Sequence, residues 1–335
     1  MGAAAALPAA MNAVIARAAG GPDMLACVTR PVPAPGPGQV LIRIRRAGVN
    51  PHDLGQRRRG GGPAGETDIL GLEVAGEIVA SGAGVPPARI GEAVCALVPG
   101  GGYAGYCVAD AQLALALPRG IDAAFGAALP EALFTAWFNL VELGRLARDD
   151  IVLVHGGTGN VGVAATQIAR LLGARVISLA GDAERMRISR GLGAEASINY
   201  RAEDVVARVH ALTDGRGVDV ILDTTGGYAK ANLECLAPDG RILHISSGAP
   251  DGFCPPLRLI MLKRAMLGGS LLRPLPPARK QAVARALHEV IWPHLGTAYR
   301  PLLGPEFALR DVAAAHAQAE TGAAIGKIIL RCDDT

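Results

Sequence analysis

The chain has 335 residues, which is enough for two domains that each bury a hydrophobic core. Half of the residues are hydrophobic, only 4% are aromatic, and the formal net charge is +3. So small a charge gives no support to a nucleic-acid partner or an acidic-membrane partner. The six cysteines include no CxxC pair, which argues against a disulfide framework and against a zinc ribbon.

The segment 1–10 is predicted to be a disordered extension, with Met11 as the first structured residue. It is rich in alanine, it begins without positive charge, and Pro8 interrupts it, so it does not match a secretory signal. No apolar run in the chain is long enough to span a membrane. The sequence therefore predicts a cytoplasmic protein without a membrane partner.

Residues 11–129 are rich in glycine, proline and short runs of valine and isoleucine. Partial alternation over 40–44 and the run 76–79 predict strands, and the Pro-Gly-Pro-Gly sequence at 35–38 is a turn signal. This part of the chain is predicted to form a mostly β domain.

From about Glu131 the pattern changes to alternating strands and helices. The apolar run 151–154 predicts a buried strand, and after a glycine turn the apolar residues of 161–172 recur at helical spacing. Such alternation predicts right-handed βαβ units, and hence an α/β fold with a doubly wound parallel sheet. Further strands are predicted at 175–180, 197–199, 218–222 and 241–245, and further helices at 182–192, 203–212 and 228–236.

After Gly269 the chain has a proline-rich joint, a helix predicted at 279–291 and a last strand predicted at 327–330. This tail is too short for a third domain, so it is predicted to return and complete the first. The predicted domains are 11–129 with 271–335, and 130–270.

A literal GxGxxG motif follows the predicted strand 151–154. In this position the first glycine permits a tight turn, the second lets the backbone approach a pyrophosphate, and the third allows close contact between helix and strand. N–H groups at the helix N-terminus would bind the anion. The flanking strand and helix favour a dinucleotide-binding Rossmann domain over a purely structural turn. The motif reads Gly157-Thr158-Gly159-Asn160-Val161-Gly162.

The end of the second strand of this domain distinguishes NAD from NADP. NAD-binding proteins carry an acidic residue there for the ribose 2′-hydroxyl, whereas this chain has Ala180 followed by Gly181. Arg185 would suit a 2′-phosphate, unless it is a solvated charge on a helix face. Asp182 comes two residues late, where it would either cap the next helix or repel a phosphate. The sequence predicts NADPH as the cofactor.

Several segments resemble, in order and spacing, the zinc-independent quinone oxidoreductases of the medium-chain dehydrogenase/reductase superfamily. The resemblance runs from Met11 to Leu330. Besides the glycine motif, its segments are 20–25, 35–41, 47–53, 71–76, 198–201 and 326–330. A closer similarity, to the subgroup of stress-inducible (tumour-suppressor-induced) quinone oxidoreductases, rests on segments 97–102, 129–132 and 269–273.

The resemblance implies a GroES-like β-rich substrate domain, formed by the N-terminal part and the C-terminal tail, with the Rossmann domain inserted between them. The nicotinamide and the substrate would lie in the cleft between the domains. Tyr200 and Arg185 would flank the adenosine 2′-phosphate, and Asn50 would lie near the nicotinamide. The family also implies a homodimer formed through the nucleotide-binding domains.

Zinc-dependent relatives carry cysteine at the position of Asn50 and histidine at that of Leu72, and neither residue here can replace those ligands. No catalytic metal is therefore predicted. Without such a Lewis acid, quinones and conjugated enones are the expected acceptors, because their own electron deficiency lets them accept hydride. Asn50 and Tyr103 are the candidate donors to the developing oxyanion. Tyr103 has an equally favoured alternative as a packed aromatic of the β domain.

Other polar residues are given structural interpretations. His52 and Asp53 are adjacent in what is predicted to be an extended loop, so their side chains need not touch, and Asp53 is predicted to be a structural hydrogen-bonding residue. His155 ends a strand and is predicted to be a satisfied core histidine. His244 ends another strand and is a weaker candidate for the nicotinamide site.

The loop 54–62 leaves a second function open, because some quinone reductases have an active-site tyrosine at the position of Gly55. The arginines 57–59 are either solvated or attract an acidic carrier protein or coenzyme A thioester. The alternative is therefore an enoyl reductase for an acyl thioester or a natural-product enone. A non-catalytic nucleotide- or RNA-binding protein is the third hypothesis, and the near-neutral charge argues against it.

Overall fold

The computed structural model describes residues 7–62, 67–246 and 254–333. The strands are β1 Ala10–Ala16, β2 Leu25–Pro31, β3 Gln39–Gly48, β4 Glu73–Ser81, β5 Ala93–Leu97, β6 Tyr106–Asp110, β7 Ala114–Ala116, β8 Ile151–Val154, β9 Arg175–Ala180, β10 Ala196–Asn199, β11 Val218–Asp223, β12 Leu236–His244, β13 Met266–Gly269, β14 Leu303–Ala308 and β15 Lys327–Arg331. The helices are α1 Pro51–Arg59, α2 Ala123–Ala127, α3 Pro130–Trp137, α4 Asn160–Leu171, α5 Ala183–Gly191, α6 Val205–Leu212, α7 Ala229–Cys235, α8 Leu257–Lys263, α9 Pro277–Val290 and α10 Val312–Thr321.

The chain folds into two compact units. The first unit is Met1–Glu131 with Arg300–Thr335, and the second unit is Ala132–Tyr299. The sequence placed 271–299 in the first of these, whereas its contacts group it with the second. Within the second unit, α9 buries Val283, Ala284 and Leu287, and its Arg279 forms an ion pair with Glu142 at 3.0 Å.

The second unit contains a parallel six-stranded sheet in the order β10-β9-β8-β11-β12-β13. The chain builds outward from β8 to β10 and then crosses back, so that β11 lies against the other side of β8. The neighbouring strands β8 and β11 mark the topological switch point of the sheet. Ligands of doubly wound sheets bind there, beyond the carboxyl ends of the strands. The α/β class is confirmed, and β13 is a strand that the sequence did not predict.

The first unit is β-rich. Its larger sheet has the order β14-β15-β3-β4-β5-β7, with β6 also paired to β3, and β1 and β2 form an antiparallel pair. The central strand β3 buries Val40, Leu41, Ile42 and Ile44 almost completely. Within the described ranges, no helix is both long enough and apolar enough to cross a membrane.

Two predictions about the first unit need correction. Ala10, assigned to the extension, begins β1 and pairs with Pro31, while residues 1–6 lie outside the described part. The predicted loop at His52 and Asp53 is helix α1: proline occupies its first turn, and the Asp53 carboxylate accepts the Asn50 N–H at 2.9 Å, as in a capping box.

The arginine run of α1 is not simply a solvated surface. Arg57 is 1% exposed, forms an ion pair with Glu320 of α10, and donates to the Gly20 carbonyl at 3.1 Å. Arg58 is exposed but shares the same Glu320 carboxylate, at 2.7 Å. These two guanidinium groups link α1 to α10 through ion pairs with Glu320. Arg59 is exposed, so it is the arginine of the run best placed to contact an acidic partner.

Candidate cofactor site and active site

The glycine motif forms the turn between β8 and α4. A Cβ added to Gly162 would lie 2.1 Å from the Gly156 carbonyl oxygen, so only glycine fits where the helix crosses the turn. A Cβ at Gly159 would meet only that same oxygen, at 3.3 Å, and is otherwise in open space. Gly159 is the N-cap of α4 and has no capping side chain, so the first N–H groups of a twelve-residue helix face outward.

Three buried serines form a hydrogen-bonded chain that packs against the turn at Gly157. The Ser189 hydroxyl donates to Ser178 at 2.7 Å, and the Ser178 hydroxyl donates to Ser197 at 2.9 Å. A Cβ at Gly157 would lie 2.7 Å from the Ser189 oxygen. The first glycine of the motif is therefore required by packing, whereas Gly156, directly before it, has the positive φ of 64° in this turn.

Asp182 and Arg185 have defined roles beside this turn. Asp182 Oδ1 accepts the Arg185 N–H at 2.8 Å as the N-cap of α5, and its other oxygen lies 3.4 Å from the Arg185 guanidinium. The guanidinium also donates to the Thr158 hydroxyl, inside the glycine motif, at 3.2 Å. The helix-cap interpretation of Asp182 is the one the structure supports. Arg185 is directed to the glycine turn rather than into solvent.

Tyr200 lies at the end of β10, beside the end of β9. A Cβ at Gly181 would lie 2.9 Å from the Tyr200 hydroxyl and 3.3 Å from Arg201 Nε, so both side chains lie over this glycine. Tyr200 is 44% exposed, and the Arg201 guanidinium lies 5.8 Å from its ring centroid. The sequence missed Arg201, although its place directly after Tyr200 was a usable signal. Ala180, by contrast, is buried and contributes only backbone.

Asn50 belongs to a buried ionic cluster in the first unit. Its Nδ2 donates to Glu73 Oε1 at 2.9 Å, and its Oδ1 accepts from Lys327 Nζ. An ammonium only donates and a carboxylate only accepts, so these two neighbours fix the orientation of the amide. Lys327 and Glu73 also form an ion pair, and both are at most 1% exposed. The second Glu73 oxygen accepts the Glu131 N–H at 2.9 Å.

The sequence did not predict this cluster, although Glu73 and Lys327 both lie in the matched segments. Asn50 is 3% exposed, and its remaining amide hydrogen has a weak contact at 3.4 Å with the Gly48 carbonyl. One amide N–H is thus committed to Glu73, and the other is only weakly held.

Tyr103 is a packed aromatic, and the prediction of a donor to substrate is wrong for it. It is completely buried, and its hydroxyl donates to Asp53 Oδ2 at 2.9 Å and lies 3.3 Å from His316 Nε2. Burial raises the pKa of Tyr103 well above its usual value, raises the pKa of Asp53 to about 6, and lowers the pKa of His316 to about 4. Asp53 is the structural residue that the sequence predicted.

The carboxyl ends of β8, β11 and β12 bring together His155, Asp223 and His244. Each imidazole Nδ1 lies 3.3 Å from a different oxygen of Asp223. Burial by itself would raise the pKa of Asp223, but hydrogen bonds from both imidazoles outweigh burial and hold it far below its usual range. The sequence considered the two histidines separately and did not connect them with Asp223.

The families that match this chain correspond to its two units. Residues 36–119 match the alcohol dehydrogenase GroES-like domain, and residues 160–289 match the zinc-binding dehydrogenase family. A quinone oxidoreductase of Sus scrofa is 32% identical over 331 residues, which cover 96% of this chain and 97% of that protein. The chain belongs to the medium-chain dehydrogenase/reductase family. Its first unit is accordingly GroES-like and its second is the Rossmann unit, as predicted.

Two further relatives bear on cofactor and substrate. The quinone oxidoreductase from Thermus thermophilus, solved also in complex with NADPH, superposes with a TM-score of 0.82 at 30% identity, covering 96% of this medium-chain dehydrogenase/reductase and 99% of that chain. The phthioceranic/hydroxyphthioceranic acid synthase of Mycobacterium tuberculosis is 38% identical over 214 residues, or 63% of this chain. This chain spans only 10% of the length of that synthase.

The Rossmann unit fits the nicotinamide cofactor of this medium-chain dehydrogenase/reductase family. The uncapped N-terminus of α4 and the open space at Gly159 form a cradle that a Cβ would fill. For zinc, the described ranges contain no group of three or more histidine, cysteine, aspartate or glutamate residues placed to hold a metal ion.

Proposed function

We propose that the protein is an NADPH-dependent, zinc-independent reductase that transfers hydride to a quinone or a conjugated enone. The observation that carries the proposal is the fixed position of Arg185 between Asp182 and Thr158, beside the glycine turn. A cation there matches a 2′-phosphate, and Asp182 does not compete with it, because its carboxylate is used as the cap of α5.

When bound, the dihydronicotinamide supplies the hydride from its C4. The chain supplies binding and orientation. The N–H groups at the start of α4 hold the pyrophosphate, Gly159 allows its close approach, and Arg185 with Tyr200 holds the adenosine end. Arg201 adds a second cation at the same end, since it lies against the Tyr200 ring. Together these contacts would anchor the pyrophosphate and the adenosine end of the cofactor and leave the choice of acceptor to other residues.

The Asn50 cluster supports independence from zinc. The Asn50 amide lies where zinc-dependent relatives carry a cysteine, and Glu73 is next to Leu72, where they carry a histidine. The Asn50 amide and the Glu73 carboxylate are bonded to each other and to the Lys327 ammonium. A metal ion would have to displace this ammonium. Asn50 keeps its proposed role as a donor to the developing oxyanion through the amide hydrogen that is only weakly held by Gly48.

An acyl acceptor is the second candidate, and the match to phthioceranic/hydroxyphthioceranic acid synthase favours it. A reductase segment of an acid synthase would meet its acceptor as an acyl group. The conjugated enoyl thioester then takes the place of the enone, with the same hydride donor. Arg59 is exposed at the end of α1 and could meet an acidic carrier. The predicted similarity to the stress-inducible quinone oxidoreductase subgroup is part of the first candidate function, the quinone or enone reductase.

The homodimer is also a proposal, and the edge of the Rossmann sheet supports it. Leu257 and Met261 of α8 are each 69% exposed, Met266 of β13 is 59% exposed, and Leu271 is 71% exposed. Such a set of exposed apolar side chains beside an edge strand is typical of an interface. Light scattering of the purified chain tests it: Leu257→Lys with Met261→Lys should shift a dimer to monomer.

The deciding experiment is oxidation of NADPH and of NADH by the purified protein. It is run in parallel with 1,4-benzoquinone, 9,10-phenanthrenequinone, 2-cyclohexenone and crotonyl coenzyme A. Turnover of a quinone or the enone with NADPH, and much less with NADH, supports the first candidate. Turnover of crotonyl coenzyme A alone favours the second. No turnover of any acceptor with either nucleotide overturns both.

A further inference from the structure

The switch point of the Rossmann sheet carries a buried group of ionisable side chains that the proposed function has not used. Asp223 is the last residue of β11, and its Cα pairs with that of His244 on β12. On the other side, the His155 N–H donates to the Leu222 carbonyl at 3.0 Å, which continues the β8–β11 register. The three side chains therefore lie where a doubly wound sheet binds the reacting end of its ligand.

The Asp223 carboxylate is completely buried and heavily hydrogen-bonded. Oδ1 accepts the Thr225 N–H at 2.7 Å, the Thr225 hydroxyl at 2.7 Å and the Gly226 N–H at 2.9 Å, and Oδ2 accepts Asn232 Nδ2 at 2.9 Å. Every one of these donors prefers the ionised form of the acid. The cluster is thus built around a fixed negative charge.

No lysine or arginine compensates this charge among the described residues. The groups within ion-pair distance of Asp223 are the imidazoles of His155 and His244. Tyr228 is a further titratable group beside the cluster, and its ring centroid lies 6.2 Å from that of His155. A buried charge is costly unless it is paired, and the two imidazoles are the neighbouring groups that can carry a compensating proton.

The two imidazoles differ in their access to water. The His155 side chain is 3% exposed and that of His244 is 19% exposed. His155 Nδ1 faces Asp223, so its Nε2 is turned away from the carboxylate, and Nε2 has no hydrogen-bond partner within the described residues. His155 is therefore the buried end of the cluster, and its Nε2 has no partner within the described residues. His244 is the end that reaches solvent.

We propose that His155, Asp223 and His244 hold one proton at the switch point and deliver it from His155 Nε2 to the acceptor when the hydride arrives. This inference rests on the proposed function, because it supplies the second half of the same reduction. For a conjugated enone, hydride forms a C–H bond at the β-carbon, and the C=C π electrons move to the α-carbon. The α-carbon takes the proton from Nε2–H. His155 then keeps its Nδ1–H on Asp223, and water restores the Nε2 proton after the product leaves, so the cluster returns to its starting charge.

The test is reduction of 2-cyclohexenone by NADPH, compared in His155→Asn, His244→Asn and His288→Asn. Asparagine keeps an N–H donor close to the position of Nδ1 but removes Nε2. His288, exposed on α9 in the same unit, is the matched control. His155→Asn should lower kcat for the enone roughly a hundredfold, as expected for loss of a general acid. It should also abolish both the fall of kcat at alkaline pH and the solvent deuterium isotope effect, while the Kd of NADPH stays unchanged.

The quinone serves as an internal reference. Hydride addition to 1,4-benzoquinone gives a stabilised phenolate, so in His155→Asn quinone turnover should fall much less than enone turnover. His244→Asn should slow the enone reaction less than His155→Asn. Enone kinetics and pH profiles identical to those of the unmutated chain in both variants would overturn the proposal. Equal losses with enone and quinone, accompanied by weaker NADPH binding, would also overturn it, because they indicate a structural role.

A measurement without turnover separates this proposal from the proposed function. The 15N shifts of the two imidazoles in the unmutated chain should show one imidazolium shared between the rings at neutral pH, and Asp223→Asn should remove it. Two neutral rings would refute the cluster even if the protein reduces quinones. Conversely, a chain that reduces no acceptor loses the proposed function, and the shifts still decide whether the cluster holds a proton.

Discussion

Each unit of the protein buries a carboxylate beside its polar cluster, but the counterions differ. Glu73 in the GroES-like unit is paired with the Lys327 ammonium, whereas Asp223 in the Rossmann unit has only imidazoles within ion-pair distance among the described residues. An ammonium in such a pair keeps its proton, while an imidazole gains or loses one near neutral pH. The comparison teaches that the counterion decides the role of a buried carboxylate. With an ammonium it forms a permanent structural ion pair, and with imidazoles it belongs to a group that can exchange a proton.

The largest expected effect comes from removing the fixed counterion. Lys327→Met leaves the Glu73 carboxylate buried without its ammonium, and breaking such a pair costs about 3–5 kcal/mol in unfolding free energy. Urea unfolding measures the loss. The control is Lys230→Met on α7, whose side chain is 76% exposed and which should change stability little. Adding Glu73→Gln to Lys327→Met should recover part of the loss. No recovery would show that packing around Lys327, and not charge, is what matters.

A second test asks whether titration in the GroES-like unit affects stability. Folding raises the pKa of Asp53 from 3.8 to about 6, chiefly through burial, so its contribution is complete below 3.8 and is lost as pH rises through about 6. Folding lowers the pKa of His316 from 6.5 to about 4, again through burial, so its contribution is present above 6.5 and is lost as pH falls through about 4. The two effects oppose each other in the unmutated chain.

Single variants should separate these slopes. Between these pKa limits, and relative to the unmutated chain, Asp53→Asn should make the unfolding free energy rise more with pH, because of this pair only His316 then titrates. His316→Gln should make it fall more with pH, because of this pair only Asp53 then titrates. Each change should be on the order of 3 kcal/mol. Urea unfolding at stepped pH provides the data, and slopes of the same sign in both variants would contradict the assignment.

The third prediction concerns the surface of the Rossmann unit that faces the cofactor. Gly159→Ala adds a methyl group whose nearest neighbour is the Gly156 oxygen at 3.3 Å, so the fold should survive while the pyrophosphate is pushed away. The Kd of NADPH, measured by fluorescence, should rise roughly a hundredfold with little change in Tm. Gly191→Ala, with no atom within 4 Å of the new methyl group, is the control and should leave both values close to those of the unmutated chain. Unchanged affinity in Gly159→Ala would remove the motif from the binding site.

The smallest expected effect is also the most selective. Arg185→Ala should weaken NADPH binding roughly tenfold, the loss of one charge-assisted contact, and leave NADH binding unchanged. Arg187→Ala, two residues along α5 and exposed, is the matched control. Equal weakening of NADPH and NADH would assign Arg185 to the support of Thr158 instead of the 2′-phosphate.

Local patterns were sufficient for the Rossmann unit. The run 151–154, the glycine motif and the helix after it form β8, the turn and α4, because period and turn chemistry act over a few residues. Helix α1 was missed because Pro51 and Gly55 read as loop signals. A proline in the first turn with asparagine before it and aspartate at the third helical position is in fact a helix start.

Contacts between distant segments were beyond sequence patterns. Arg57 pairs with Glu320, and Asn50 with Lys327, across most of the chain. Tyr103 could have been packed or functional until its hydroxyl was seen to meet Asp53. His155 and Asp223 were each visible as polar residues at strand ends, but only the order of the strands makes them neighbours. The type of a residue indicates which chemistry its side chain can perform. The topology of the fold decides which of these side chains become neighbours.

The strand order has a consequence for how the protein acquires its activity. The chain places β9 and β10 on one side of β8 and must then cross over before β11 can pair with the other side. Such a closure between distant segments is slow compared with the formation of individual helices. His155 and Asp223 meet only when it is complete. During refolding we therefore expect helical circular dichroism to return first. The proposed reductase activity should return last, so that partly folded chains would not consume the proposed cofactor.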